Sequence, residues 1–412
     1  MSYSSAPSPT EQTQPGKSGT ASASWSEPSR RSSMLDHLRL RFFKCFERLD
    51  LPLAPLTLLS GANASGKSTV LQALVLLHQT MREQEWSTRL ILNGNSVQLG
   101  TVLDVVDQVH GRRQLKIGLV AGSSSVHWVF NGDRDDMSMA MEQVRLNGQE
   151  AANPTTSRHL LPLDLYDRGA SLAARLRGLT YITAERVGPR EIYLLEDRLA
   201  APVVGSRGEH TLSVLHKVRS DPIRDELIVE GIPPTGLQQI EARMGQFFPG
   251  CRLDIQLISQ ANAVTLGIRT SDDTDFHRPV NVGFGLTQVL PIVVAGLCAT
   301  QEAIVLLENP EVHLHPSGQA RMGAFLAELA ASGVQVIVET HSDHVLNGIR
   351  RAVKAGILSP GQACLHFFRP RVGELDQVVS PTLDATGNVD VWPEGFFDQF
   401  DKDMHHFAGW GD

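Results

Sequence analysis

The sequence predicts an α/β fold, a mixed sheet flanked by helices with a compact lid or helical subdomain inserted into it. Three observations predict it. A glycine-rich loop at 61–69 follows a short apolar run and opens a helical stretch. Two more short apolar runs, 303–307 and 334–338, each end in an acid and lead into a helical pattern. Between these two regions the chain shows strand-like alternation, but no internal repeat and no sustained heptads. Short apolar runs alternating with helical periods are what a sheet covered on both faces requires.

The bulk properties narrow the class. A chain of 412 residues has room for a large domain or two. A formal charge of -8 argues against a generally basic nucleic-acid binder, while leaving room for a local basic patch. Cys45, Cys251, Cys298 and Cys364 are scattered without a C-x-x-C pair, which points to reduced thiols. No apolar run nears the roughly 18 residues that span a bilayer, and the N-terminus lacks a signal-peptide core. The expectation is a cytoplasmic protein with no membrane segment.

Residues 1–33 are rich in Ser, Pro, Thr, Gln and Gly and are read as a disordered tail. Residues 38–42 alternate as a strand, and a second extended piece leads through Pro52 and Pro55 into a short buried strand at 56–60. Then come Gly61, Ala62, Asn63, Ala64, Ser65, Gly66, Lys67, Ser68 and Thr69, which fit G-x-x-x-x-G-K-[ST] without a mismatch. Strand, glycine loop and helix N-terminus together turn backbone N–H groups around a phosphate chain. Lys67 would reach the β- and γ-phosphates, and the Ser68 hydroxyl would ligate Mg²⁺. The stretch therefore predicts a P-loop NTPase fold that takes a nucleotide, with a buried helix over 67–79. A short strand at 97–100 offers Gln98 either as a γ-phosphate and Mg²⁺ sensor or, the better-supported reading for one glutamine there, as a surface polar residue.

From 111 to 280 the pattern is mixed. Residues 114–130 alternate like a strand, and Asn131-Gly132-Asp133 has hairpin chemistry. Helices are expected at 172–179 and 238–248, and strands at 181–184 and within 253–268. Arg186 and Arg190 either face phosphates or sit on the solvated surface.

In the last third, the strand at 303–307 ends in Glu308-Asn309-Pro310-Glu311. An acid at the carboxyl end of a strand beside the P-loop strand is where a Mg²⁺-holding carboxylate belongs. Val312-His313-Leu314-His315-Pro316 and a helix over 317–331 follow. The strand at 334–338 then ends in Glu339-Thr340-His341-Ser342, with Ser342 placed to cap the next helix. The pairs His313/His315 and His341/His344 invite a zinc reading, but the strand-end pattern already accounts for both.

These motifs together resemble ABC-type ATPase heads, most of all those of the RecF, SMC and OLD (overcoming lysogenization defect) ATPases. The resemblance implies ATP and Mg²⁺ as cofactors and His341 as the switch histidine on the γ-phosphate. It also implies that 281–288, with Gly285, Thr287 and Gln288, is a divergent signature motif opening a helix near Val289. Such a helix faces the ATP of a second subunit, so a homodimer sandwiching ATP is expected. The ending from Leu383 to Asp398, with its Trp-Pro-Glu-Gly-Phe-Phe, is similar to a small C-terminal module found in a bacterial subfamily. Five parts follow: the tail 1–33, head 34–110, remaining strands with the insert 111–280, head 281–370 and module 371–412.

Two departures shape the expected chemistry. The usual Asp-Glu pair is Glu308-Asn309 here, and an amide can orient water but cannot accept its proton. Glu311 is near enough in sequence to act instead, so hydrolysis is expected to be slow or relocated. Lys67 and Glu308 are separated by more than half the chain without a coiled coil, which argues against an SMC-like rod. The implied activity is ATP hydrolysis in DNA repair or anti-phage defence beside an effector or nuclease, with DNA contact possible. An ATP-gated scaffold with little turnover, and a P-loop kinase, are the alternatives. The basic clusters Arg112/Arg113, Arg350/Arg351/Lys354 and Arg369/Arg371 read either as surface or as a DNA patch.

Overall fold

The computed structural model describes residues 34–109, 111–196, 203–371 and 376–408, all in the unit Ser33–Asp412. The expected tail at 1–33 lies outside the described residues. The P-loop strand, Leu56–Gly61, runs parallel to Gln335–Glu339 on one side and Ala363–Phe368 on the other. Beyond Gln335–Glu339 lie Ile304–Glu308 and then Thr180–Ile182, also parallel. Val378–Val379 pairs antiparallel at the far edge, so the sheet is mixed.

Alternation along these strands divides the core, because successive side chains leave opposite faces of a sheet. Leu59, Ile304, Leu306 and Ile337 join one apolar cluster, and Leu58, Val305, Leu307 and Val338 join the other. The first cluster includes the P-loop helix, Lys67–Glu83, and a second, antiparallel sheet. Thirteen of that helix's 17 residues are buried, which its apolar character on all sides anticipates. On the opposite face pack Gly236–Phe247, Phe284–Leu297, Pro316–Ala331 and Asp343–Lys354.

Several expectations need correction. The run 114–130 is two strands, Gln114–Ala121 and Ser124–Asn131, turned at Gly122 with φ 57°. Asn131-Gly132-Asp133 leads into the next antiparallel strand, Ser138–Leu146. These strands share a sheet with Leu35–Phe43, so residues on both sides of position 110 build one layer. The segment between the P-loop helix and Glu308 is accordingly strands and short helices, and no described helix there exceeds 14 residues. No strand forms at 97–100, where the ladder is the single bridge Asn93–Gln98. The helix expected near Val289 begins at Phe284. No helix of the described residues is long and apolar enough to cross a membrane.

Candidate nucleotide site

The loop after Leu56–Gly61 is shaped by contacts only glycine permits. Gly61 has φ 138°, and a Cβ there would stand 2.1 Å from the Phe368 carbonyl oxygen. Gly66 has φ 109°, with Phe46 and the Cys45 thiol where a Cβ would go. Ser65 Oγ donates to the Ala62 carbonyl at 2.7 Å and braces the turn. The loop and the helix start border a cavity of about 360 Å³, lined by residues 63–69 with Lys44, Cys45, Gln72, Glu339 and His341.

Within it, Lys67 is 4% exposed and its ammonium donates to the Gly61 and Ala62 carbonyls at 3.1 and 2.8 Å. Burial lowers its pKa, opposed by Glu339, whose Oε1 is 3.9 Å away. Ser68 Oγ donates to Glu339 Oε2 at 2.8 Å. Burial in turn raises the Glu339 pKa, the Ser68 hydrogen bond and Lys67 lower it, and Glu308 and Glu311 raise it.

Sequence reasoning did not single out Glu339. Its strand, not that of Glu308, lies beside the P-loop strand, with Glu339 paired to Leu59 and Glu308 one strand further out. Glu308 is engaged elsewhere: Oε1 accepts from the Tyr181 hydroxyl at 2.7 Å and Oε2 from the Ala184 N–H at 3.3 Å. The signal that could have found Glu339 was the acid ending the second apolar run, but strand order decides which acid is adjacent.

The turn after Glu308 is strained, with Asn309 at φ 42° and His313 at φ 64°. The Asn309 N–H donates to the Glu339 carbonyl at 2.8 Å. Glu311 Oε1 accepts from the His341 backbone N–H at 2.9 Å. Asn309 Oδ1 and Glu311 Oε2 are buried without a hydrogen-bond partner, and buried acceptors of that kind mark a place for a donor. Partial burial and then the Lys67 charge hold the His341 imidazole below its ordinary pKa. P-loop, acidic turn and His341 are thus linked through Glu339 and Glu311.

Other expected residues sit differently. Arg186 is 6% exposed and donates to the Thr183, Glu308 and Asn309 carbonyls and to Gln288 Oε1. Burial lowers its pKa to about 10, so it remains a cation, buried from solvent, that clamps the acidic turn. Gln288 is committed to this clamp. Thr287 Oγ donates within its own helix to the Phe284 carbonyl at 3.0 Å. Gly285 lets that helix approach the His313 carbonyl, which a Cβ would meet at 2.8 Å. What the helix start presents outward is Phe284, 54% exposed and tilted by 41° against the His313 ring with centroids 5.7 Å apart. Gln98 is exposed and does not line the cavity at the 61–69 loop.

The basic clusters are also committed in part. Arg350 Nε donates to the Gly387 carbonyl at 2.7 Å and its guanidinium lies 5.5 Å from the Trp392 ring. Arg371 pairs with Glu47 and Asp107, and Arg113 with Asp133. Arg350 thereby anchors the C-terminal module to the helix that follows His341. A second cavity, about 410 Å³, lies between Ser60, Gly61, His341 and Asp343 on one side and Gly395, Phe397, Asp398 and Lys402 of that module on the other.

Comparison with known proteins agrees with this geometry. Residues 247–346 match an AAA ATPase domain and 56–139 an AAA domain, while 358–406 match a family described as a protein of unknown function, DUF3696. The OLD nuclease of Thermus scotoductus is 24% identical over 327 residues, covering 75% of this chain and 59% of that protein. The chain therefore spans less than two thirds of that relative's length. A stretch of 45 residues, 11% of each chain, is 58% identical to the DNA replication and repair protein RecF of Roseiflexus castenholzii. Among solved structures, an SMC head bound to the C-winged helix domain of ScpA aligns with a TM-score of 0.52 at 16% identity, over 85% of this chain and 98% of its own. An Smc head with an extended coiled coil, bound to the C-terminal domain of ScpA and derived from Pyrococcus furiosus, gives 0.50 at 13% identity over 92% and 99%. At such identities the likeness is one of fold.

Proposed function

We propose, for a chain that is an ABC-type ATPase of the RecF, SMC and OLD group, that it hydrolyses ATP at the 61–69 loop and works as a dimer closed by nucleotide. The observation that carries this reading is the pair of partnerless buried oxygens, Asn309 Oδ1 and Glu311 Oε2, on the turn tied to His341. They suit a water molecule held for attack. Glu311 can take its proton, whereas Asn309 can only orient it.

In this reading the loop N–H groups and the helix start hold the phosphate chain, and Lys67 leaves the Gly61 and Ala62 carbonyls for the β- and γ-phosphate oxygens. Ser68 with an acid of the site fits Mg²⁺, whose oxygen preference both meet. That ion, when bound, would neutralise charge developing on the phosphates. Water attacks the γ-phosphorus, its proton passes to Glu311, and the bond to the β,γ-bridging oxygen breaks, leaving ADP. His341 faces the same cavity and would contact the γ-phosphate. Phe284 and the helix behind it would meet the ATP of the second subunit, and closure of the pair would be the mechanical output.

The names of two relatives, a nuclease and a DNA replication and repair protein, favour DNA-linked work. A part in repair or defence beside a separate effector or nuclease is what the family resemblance adds to this reading. Duplex DNA that fails to bind at any salt concentration would remove this part of the reading. A second reading, an ATP-gated scaffold with little turnover, is favoured by Asn309 at the position where a catalytic acid usually stands.

Steady-state phosphate release from wild type, Lys67→Ala and Glu311→Gln tests the proposal. Wild type should turn over, Lys67→Ala should fall to background, and Glu311→Gln should lose about a hundredfold or more. Background turnover by wild type despite tight ATP binding would overturn hydrolysis in favour of the scaffold.

A further inference from the structure

We infer that the cavity between the far end of the P-loop helix and residues 203–210 binds a small organic cation, an amine or guanidine whose N–H groups meet His78 and the carboxylates of Glu83 and Glu209. None of these three residues lines the cavity at the 61–69 loop, so this is a second, separate site.

His78 stands about 16 Å along the helix from Lys67 at the usual rise per residue. Its ring is 3% exposed and lines this cavity of about 310 Å³. Nδ1 meets the Leu176 carbonyl at 2.7 Å. A carbonyl only accepts, so Nδ1 carries the proton, and burial, which lowers the pKa to about 4, keeps the ring neutral. Nε2, on the side of the ring away from Leu176, is then a bare acceptor, and no hydrogen bond reaches it among the described residues. A buried acceptor left in that state marks a place for a donor.

Two carboxylates share the lining. Glu83 Oε1 accepts the Asn95 N–H at 2.8 Å, and Glu209 Oε2 accepts the Arg207 N–H at 2.8 Å. Each carboxylate keeps acceptor capacity beyond that one bond. Gly205, with φ 86°, makes room for the second, since a Cβ there would stand 2.4 Å from the Glu209 carboxyl carbon. Against them the lining sets one arginine, Arg82. His210 lies 3.5 Å from Glu209 and 3.3 Å from Glu196, a third carboxylate outside the lining, so a proton on His210 leaves the balance negative. An anionic ligand would meet like charge on both glutamates, whereas a cation with N–H donors suits them and Nε2 together. Among the described residues no group of three His, Cys, Asp or Glu is set to hold a metal ion, which favours an organic cation.

The test is calorimetric titration with putrescine, with agmatine and, as the anionic control, with succinate. Salt at about 0.15 M screens diffuse attraction to the net charge of -8. Wild type should bind at least one of the two amines at a single saturable site and should not bind succinate. A Glu83→Gln/Glu209→Gln variant should lose about tenfold or more in amine affinity, because hydrogen bonds to charged groups contribute most. Both side chains reach solvent, so its thermal unfolding should match wild type. The ¹⁵N resonance of His78 Nε2, identified by its loss in His78→Gln, should shift as the amine saturates. No amine binding by wild type, or undiminished binding by the double variant, would overturn the site. A bound amine that leaves Nε2 unmoved would overturn the part assigned to His78.

Discussion

Glu311 accepts the His341 backbone N–H at 2.9 Å, which ties the turn after one strand to the turn after its parallel neighbour. The contact means that a change at either strand end is felt at the other. Arg186 completes the arrangement from behind, gripping the carbonyls of Glu308 and Asn309.

Arg186→Ala removes that grip and leaves buried carbonyls and Gln288 without a donor. Each unsatisfied buried group costs about 1–3 kcal/mol, so a loss of at least about 3 kcal/mol in urea unfolding is expected. Arg186→Lys should not restore it, because a single ammonium cannot match the planar fork. Full stability in the lysine variant would show that the clamp is only a charge.

Much of this site could be read from residues alone. The loop 61–69 and its flanks were legible because one motif fixes the strand end, the glycines and the helix start together. Ser342 is likewise the helix cap its position suggested, accepting from the Val345 N–H at 3.1 Å. Strand order was not legible, and it is what places Glu339 rather than Glu308 beside Ser68. The early start of the helix Phe284–Leu297 was hidden because Gly283 and Gly285 read as a turn. Packing decides otherwise, since Gly285 is small to clear the His313 backbone. Arg186 shows the same limit: an arginine in a Gly-Pro-rich stretch reads as facing either phosphate or solvent, and its actual carbonyl partners come from positions 308 and 309.

Acid should destabilise the fold through two buried histidines. His78 and His366 are held neutral by burial, with pKa values lowered from 6.5 to about 4. Folded pKa values below the unfolded ones mean that the unfolded chain binds more protons between about pH 6.5 and 4. Stability is therefore full above pH 6.5 and falls as pH drops through that window, by up to roughly 3 kcal/mol per histidine. Thermal unfolding from pH 8 to 4.5 checks it, and His78→Gln should flatten the decline. A melting temperature constant over the window would contradict the assignment.

Phe284 offers a test of the dimer. In sedimentation with Mg²⁺ and ATP, wild type should shift toward dimer and Phe284→Asp should remain monomeric. ATP binding per monomer should be retained, because Phe284 is not among the residues that line its own P-loop cavity. A dimer that forms equally well in the variant would place the contact elsewhere.

The most direct measurement of the central claim, that the P-loop, acidic turn and His341 serve one triphosphate, is calorimetric titration with ATP and Mg²⁺ of wild type and Lys67→Ala. The account predicts one ATP per chain for wild type and loss of at least about tenfold in affinity for Lys67→Ala, since a buried charge-assisted contact contributes roughly 1.5–3 kcal/mol. A wild type that ignores ATP at millimolar concentration, or a Lys67→Ala variant that binds it undiminished, would contradict it.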